Sequence, residues 1–159
     1  MDHQVILDIA ARAWQGVFSA VNEVLGPDLA LRLHGADWRA HHASEVRHLL
    51  ASDAVLTWVA AVDDQVVGFT SARVVDPERQ IGEVAILGVD PTAQRIGVGA
   101  ALTSHAEAWL REQGMIVVYI GTGGDDGHAP ARELYAALGY HPFPVVQYYK
   151  VLQGDDLHD

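Results

Sequence analysis

A β-type run that breaks at Asp90-Pro91 and resumes, after a polar loop, as a helix opened by Gly97 and Gly99 restricts this chain more than any other feature. Ile81 to Val89 reads as a strand, and Pro91 stops it because proline has no N–H for a ladder and fixes its own φ. Beyond the loop, Leu102, Ala106, Trp109 and Leu110 recur at helical spacing between Val98 and Gln113, and Gly114 offers a C-terminal cap. A strand, a loop and a helix in that order call for a sheet with a helix on its face.

The flanking patterns extend this arrangement. From Val5 to Leu25 the residues Ile6, Ala10, Ala13, Trp14, Val17, Phe18, Val21 and Leu25 predict one amphipathic helix, ended by Gly26-Pro27. Ser44 to Leu50 predicts a second helix with Ser44 as N-cap. Thr57–Val62 and Val66–Val74, joined by Asp63-Asp64-Gln65, predict a hairpin. Met115 to Ile120 reads as a buried strand, Pro130 opens a helix through Leu138 that Gly139 caps, and Val145 to Leu152 reads as a final strand. The expected architecture is a mixed α/β sheet in a single domain, residues 1–159. Within it, 1–50 is a helical part, 55–152 a sheet core and 153–159 a frayed tail.

Composition narrows the chemistry. A net charge of -11 leaves no basic footprint for nucleic acid, so none is expected as a partner. With no cysteine, disulfides, thiolate nucleophiles and cysteine zinc sites are excluded. His41, His42 and His48 lack a recognised ligand spacing, so no metal is expected. The start, Met1-Asp2-His3-Gln4, has no basic leader and no apolar run is long enough for a membrane span. The expected location is therefore the cytoplasm, away from membranes.

The glycine-opened helix is an anion cradle by its physics. The first helical N–H groups have no internal partner and the helix dipole adds positive potential there. A P-loop would need lysine after Gly99, where Ala100 stands, and a dinucleotide fingerprint would need glycine in place of Leu102. What remains is Gln94-Arg95-Ile96-Gly97-Val98-Gly99 after the strand end Leu87-Gly88-Val89, followed later by His128-Ala129-Pro130-Ala131-Arg132-Glu133-Leu134-Tyr135-Ala136-Ala137-Leu138-Gly139-Tyr140. Together these resemble the two signature regions of the GNAT superfamily of N-acetyltransferases, and the resemblance runs over residues 55–152 in element order. His128 departs from it, standing where many members have asparagine.

The resemblance implies a mostly antiparallel sheet flanked by helices, and acetyl-CoA as cosubstrate. It implies that the backbone of Leu87, Gly88 and Val89 meets the pantetheine arm. Gln94, Arg95, Ile96, Gly97, Val98, Gly99 and Ala100 would hold the pyrophosphate, with His128 and Ala131 beside the cofactor. Tyr135 would protonate the departing sulfur, and Glu83, by its spacing to Gly97, would be the base. Strand alternation puts Glu83 on one face with Ala85, Leu87 and Val89. His128 can serve as base or proton relay, and Asp125 and Asp126 either shape the glycine-rich turn or supply the base. With no cysteine and no nucleophile-elbow serine, direct attack by the amine of a small molecule or peptide is expected. An acyl-CoA-binding sensor and a homodimer both stay open.

Overall fold

The structure is a computed structural model that describes residues 3–152, so the tail expected to fray lies outside the described residues. The N-terminal apolar stripe makes two helices rather than one, α1 (His3–Ala13) and α2 (Gln15–Leu25). They part at Trp14, whose N–H still donates to the Ala10 carbonyl at 3.0 Å. The apolar spacing runs through the bend, so periodicity alone could not reveal it. A further helix, α3 (Pro27–His34), fills a stretch to which the sequence assigned nothing. The next, α4 (Trp38–Leu50), begins earlier than expected: the Asp37 side chain, not Ser44, caps it by accepting from Ala40 N–H at 3.1 Å.

The sheet has strands β1 (Leu56–Val62), β2 (Gln65–Asp76), β3 (Ile81–Val89) and β4 (Val117–Ile120), hydrogen-bonded in that order. The first three are antiparallel and β4 runs parallel to β3, which makes the sheet mixed and mostly antiparallel. Asp63 and Asp64 at the hairpin tip have φ of +48° and +61°, the pair of left-handed conformations that a two-residue hairpin turn needs. The β3-to-β4 crossover is α5 (Val98–Glu112), and a 3₁₀ turn over Asp126–His128 leads into α6 (Ala129–Ala137).

Each sheet face has its own core. Ile6, Ile9, Ala10, Val46 and Phe69 pack between α1, α4 and one face. Ala72, Val84, Ala106, Leu110 and Met115 pack between α5 and the other. These two sets reveal a break in the alternation of β3. Ser71 pairs with Ile86 but Ala72 pairs with Val84, so Ala85 is an extra, unpaired residue, a β-bulge. Accordingly Val84 joins the α5 core while Ile86, two residues on, packs against the α1 core.

Two expectations about the sheet are corrected. The strand at Met115–Ile120 is half-exposed rather than buried: Met115 is buried, but Ile116, Val117 and Tyr119 are all exposed. The final strand expected at Val145–Leu152 does not form, and Val145, Val146, Tyr148 and Leu152 are exposed. A β-prone sequence fits a pleated, half-covered surface but does not by itself supply a partner ladder. Nothing among the described residues pairs with the outer edge of β4. No described helix is long and apolar enough to cross a membrane.

Candidate active site

The parallel β3–β4 pairing covers only Ile81 to Val84 against Val117 to Ile120. Past that point the chain leaves β4 at Gly121 while β3 runs on to Val89, so the two strands open into a gap. A cleft of about 880 Å³ occupies the gap. Its floor is Ala85 to Val89, one end is Gln94, Arg95, Gly97 and Gly99, and one wall is His128, Ala131, Leu134 and Tyr135.

The cradle end is set by backbone conformation. Arg95 and Gly97 have φ of +63° and +92°, and Gly97 is the N-cap of α5 with no side-chain hydrogen bond to the helix. The first bond back to Gly97 is from Ala101 N–H, so the amides of Val98, Gly99 and Ala100 precede the helical ladder. A cofactor-sized anion fits this arrangement, because the amide groups and the helix dipole face it without a competing side-chain cap. The Gln94 side chain donates to the Val89 carbonyl at 3.2 Å and ties the loop to the strand end.

Asp90 holds the other side of the loop. Its carboxylate accepts from Thr92 N–H at 3.0 Å and Thr92 Oγ1 at 2.7 Å, and pairs with Arg12 Nη2 at 2.6 Å. The Thr92 hydrogen bonds first, and Arg12 second, hold its pKa below the usual carboxylate range against the opposing effect of burial. Because the folded-state value is depressed, the stability this group contributes is present at neutral pH and is lost as pH falls through the acid range.

Gly88 is a packing site. A Cβ there would stand 2.5 Å from Phe69 Cε1 and 3.1 Å from Trp14 Cζ3, and Phe69 is 0% exposed. Gly88→Ala is therefore expected to destabilise the protein by about 1–3 kcal/mol through overpacking. Urea unfolding would read this directly, and an unchanged midpoint would mean that the α1 layer is looser than its contacts imply.

The predicted site residues divide clearly. Leu87, Gly88, Val89, Gln94, Arg95, Gly97, Gly99, His128, Ala131 and Tyr135 line the cleft. Ile96, Val98 and Ala100 do not: Ile96 is 67% exposed, and Val98 is buried, within reach of a Cβ at Gly68. Glu83 is also outside the lining, and the placement expected for it is corrected. The bulge at Ala85 reverses the alternation, so Glu83 does not share a face with Leu87 and Val89. Instead its Oε2 accepts from Arg73 Nε at 2.6 Å. Asp126 is exposed, whereas Asp125 bonds His128.

The second wall was missed from sequence. Arg12, Trp14, Gln15, Gly16 and Val17, at the α1–α2 junction, line the cleft opposite α6. An isolated glycine inside the apolar periodicity, Gly16, was the available signal. Tyr135 is buried with its phenol pushed up to about 12 by that burial. No three His, Asp or Glu residues among those described stand together as a metal site.

Comparison with known proteins agrees with this geometry. The model of the acetyltransferase (GNAT) family matches residues 20–140. A mycothiol acetyltransferase of Thermomonospora curvata is 36% identical over 91 residues, covering 55% of this chain and 28% of that protein. One of Saccharomonospora viridis is 39% identical over 93 residues, covering 54% and 30%. The chain thus spans less than a third of the length of these curated relatives. Among solved structures, a putative GNAT-family acetyltransferase of Desulfovibrio desulfuricans superposes with TM-score 0.62 at 21% identity, covering 92% of this chain and 84% of that one. The PaiA N-acetyltransferase of Thermoplasma acidophilum, in complex with coenzyme A, gives 0.62 at 14% identity, covering 88% and 84%. At these identities the two structures establish the shared fold.

Proposed function

The chain belongs to the acetyltransferase (GNAT) family, and on that premise we propose that it moves an acetyl group from acetyl-CoA to a primary amine of a small molecule by direct attack. The observation that carries this reading is the convergence on one cleft of the α5 cradle, the open edge of β3 and the Tyr135 phenol. Acetyl-CoA supplies the activated thioester.

This chain's residues supply position and proton traffic. The amides at the start of α5 bind the diphosphate, with Arg95 at the rim. The gap beyond Val84 leaves the β3 backbone from Ala85 to Val89 unpaired on its β4 side among the described residues, which suits an amide-bearing pantetheine arm. Tyr135 gives its proton to the departing sulfur, and its raised pKa keeps the phenol protonated at working pH. The acceptor enters from the side of Arg12 to Val17 and Gly121 to Thr122. Structural neighbours in complex with sisomicin and with an acetylneamine bisubstrate analogue favour a small amine over a peptide.

CoA release from acetyl-CoA over a panel of primary amines that includes sisomicin tests the proposal, with calorimetry of acetyl-CoA binding beside it. Micromolar binding and amine-dependent release are expected. Binding with no turnover on any amine would favour an acyl-CoA sensor instead, and absence of binding would remove the cradle assignment.

A further inference from the structure

The glycine-rich turn after β4 carries a built side-chain pair. His128 Nδ1 and Asp125 Oδ2 are 2.7 Å apart, with side chains only 23% and 19% exposed. Gly123 makes room for them, since a Cβ there would fall on the His128 ring and 2.5 Å from Asp125 Oδ2. Arg132 Nη1 donates to the carbonyls of Gly123 and Asp125 at 2.7 and 2.6 Å, and so pins the turn from α6. Among the described residues, Asp125 Oδ1 is buried with no hydrogen-bond partner, and Oδ2 bonds no side chain other than the imidazole. His128 itself lines the cleft alongside Tyr135.

We propose that His128 is the base that takes the amine's proton and that Asp125 is the residue that positions it, a proposal that rests on the acetyl-transfer reading above. An ionised carboxylate on Nδ1 favours the tautomer that donates from Nδ1, which leaves the lone pair on Nε2. Burial pushes the Asp125 pKa up, but the His128 hydrogen bond and charge, together with backbone N–H groups of the turn, outweigh it and hold the carboxyl below the usual carboxylate range. The alternative base, Glu83, is already spent on Arg73 and lies outside the cleft lining. In the step, the N–C bond forms and the C–S bond breaks. The amine's proton goes to His128 Nε2, the sulfur takes one from Tyr135, and the imidazolium then reprotonates the phenolate through water. The sum is amine plus thioester giving amide plus thiol. Charged and titratable groups around His128 are Asp125 and Asp126 in its own turn, Arg132, Glu133 and Tyr135 on α6, and Arg12 on the facing wall.

Two variants and two readouts test this. His128→Asn keeps a hydrogen-bonding side chain but no proton acceptor, and is expected to lower kcat about 100-fold with acetyl-CoA affinity unchanged. Asp125→Asn is expected to cost about tenfold in kcat with KM for acetyl-CoA unchanged, because the ring loses the carboxylate that fixes its tautomer. Independently of any acceptor, ¹⁵N NMR of the His128 ring should show the Nδ1–H tautomer in the wild-type protein and a mixture of tautomers in Asp125→Asn. An Nε2–H tautomer in the wild-type protein, an unchanged tautomer in Asp125→Asn, or wild-type kcat in His128→Asn would each overturn the proposal. Loss of acetyl-CoA binding by the wild-type protein would instead refute the acetyl-transfer reading, while the NMR outcome would still decide the pairing.

Discussion

Gly97→Val is expected to weaken acetyl-CoA binding about 100-fold while the protein remains folded. Space is not the reason, because a Cβ at Gly97 would meet no atom within 4 Å. The reason is its φ of +92°, which a β-branched residue adopts only at a cost of roughly 1–3 kcal/mol. Gly97 is exposed and caps the first turn of α5, so the loop can relieve that strain by rotating, and the stability loss stays small. The same rotation turns the amides of Val98, Gly99 and Ala100 away from the diphosphate, so binding loses what folding saves. Gly97→Ala should fall between, having the same φ penalty with less restriction at χ1. Calorimetric titration with acetyl-CoA, paired with a thermal melt of each variant, separates the two effects. Affinity within twofold of wild type in a folded Gly97→Val would mean that the cradle does not bind the diphosphate.

The cradle was legible because its requirements are local. A proline stop, a polar loop and two glycines opening a helical period each act within a few residues, and β3, α5 and α6 lie where those patterns put them. Glu83 was misread for a reason that no local pattern carries. Alternation assumes one residue of β3 for each residue of β2, and the extra Ala85 breaks that count only once the strands are paired. The second cleft wall was hidden in a different way. Arg12 to Val17 look like the middle of one amphipathic helix, and their role follows from the break at Trp14, whose side chain lies near Gly88 and meets the His42 ring at a tilt, centroids 4.9 Å apart. Those contacts join residues far apart in the chain, and helical periodicity has no term for them.

The acceptor preference is obscure in the sequence for the same reason. The wall from Arg12 to Val17 is fixed by tertiary contacts, among them the Arg12–Asp90 pair and the close approach of Gly127 to Gly16 and Val17. An acceptor therefore meets surfaces drawn from α1, α2, the turn after β4 and α6, none of which carries a self-sufficient motif.

Tyr135→Phe is expected to leave the fold and acetyl-CoA affinity intact and to lower kcat about 100-fold, the low end of what a positioned general acid contributes. The substitution removes one oxygen from a ring that is 8% exposed, and the hydroxyl makes no hydrogen bond among the described residues, so little packing or polar satisfaction is lost. Its neighbour Tyr140, with ring centroid 5.8 Å away, cannot take over readily, because its hydroxyl already donates to Glu107 Oε1 at 2.7 Å. CoA thiolate is a tolerable leaving group even without an acid, which is why the low end is expected. The sign with pH follows from the same burial. A phenol pushed up to about 12 stays protonated throughout the neutral and mildly alkaline range. The wild-type rate should therefore rise with pH as the base loses its proton and show no alkaline fall from Tyr135. Steady-state kcat for both proteins, measured with the best amine of the panel beside acetyl-CoA titrations, decides the matter. Equal kcat values would mean that water protonates the sulfur, leaving Tyr135 as a packed aromatic of α6.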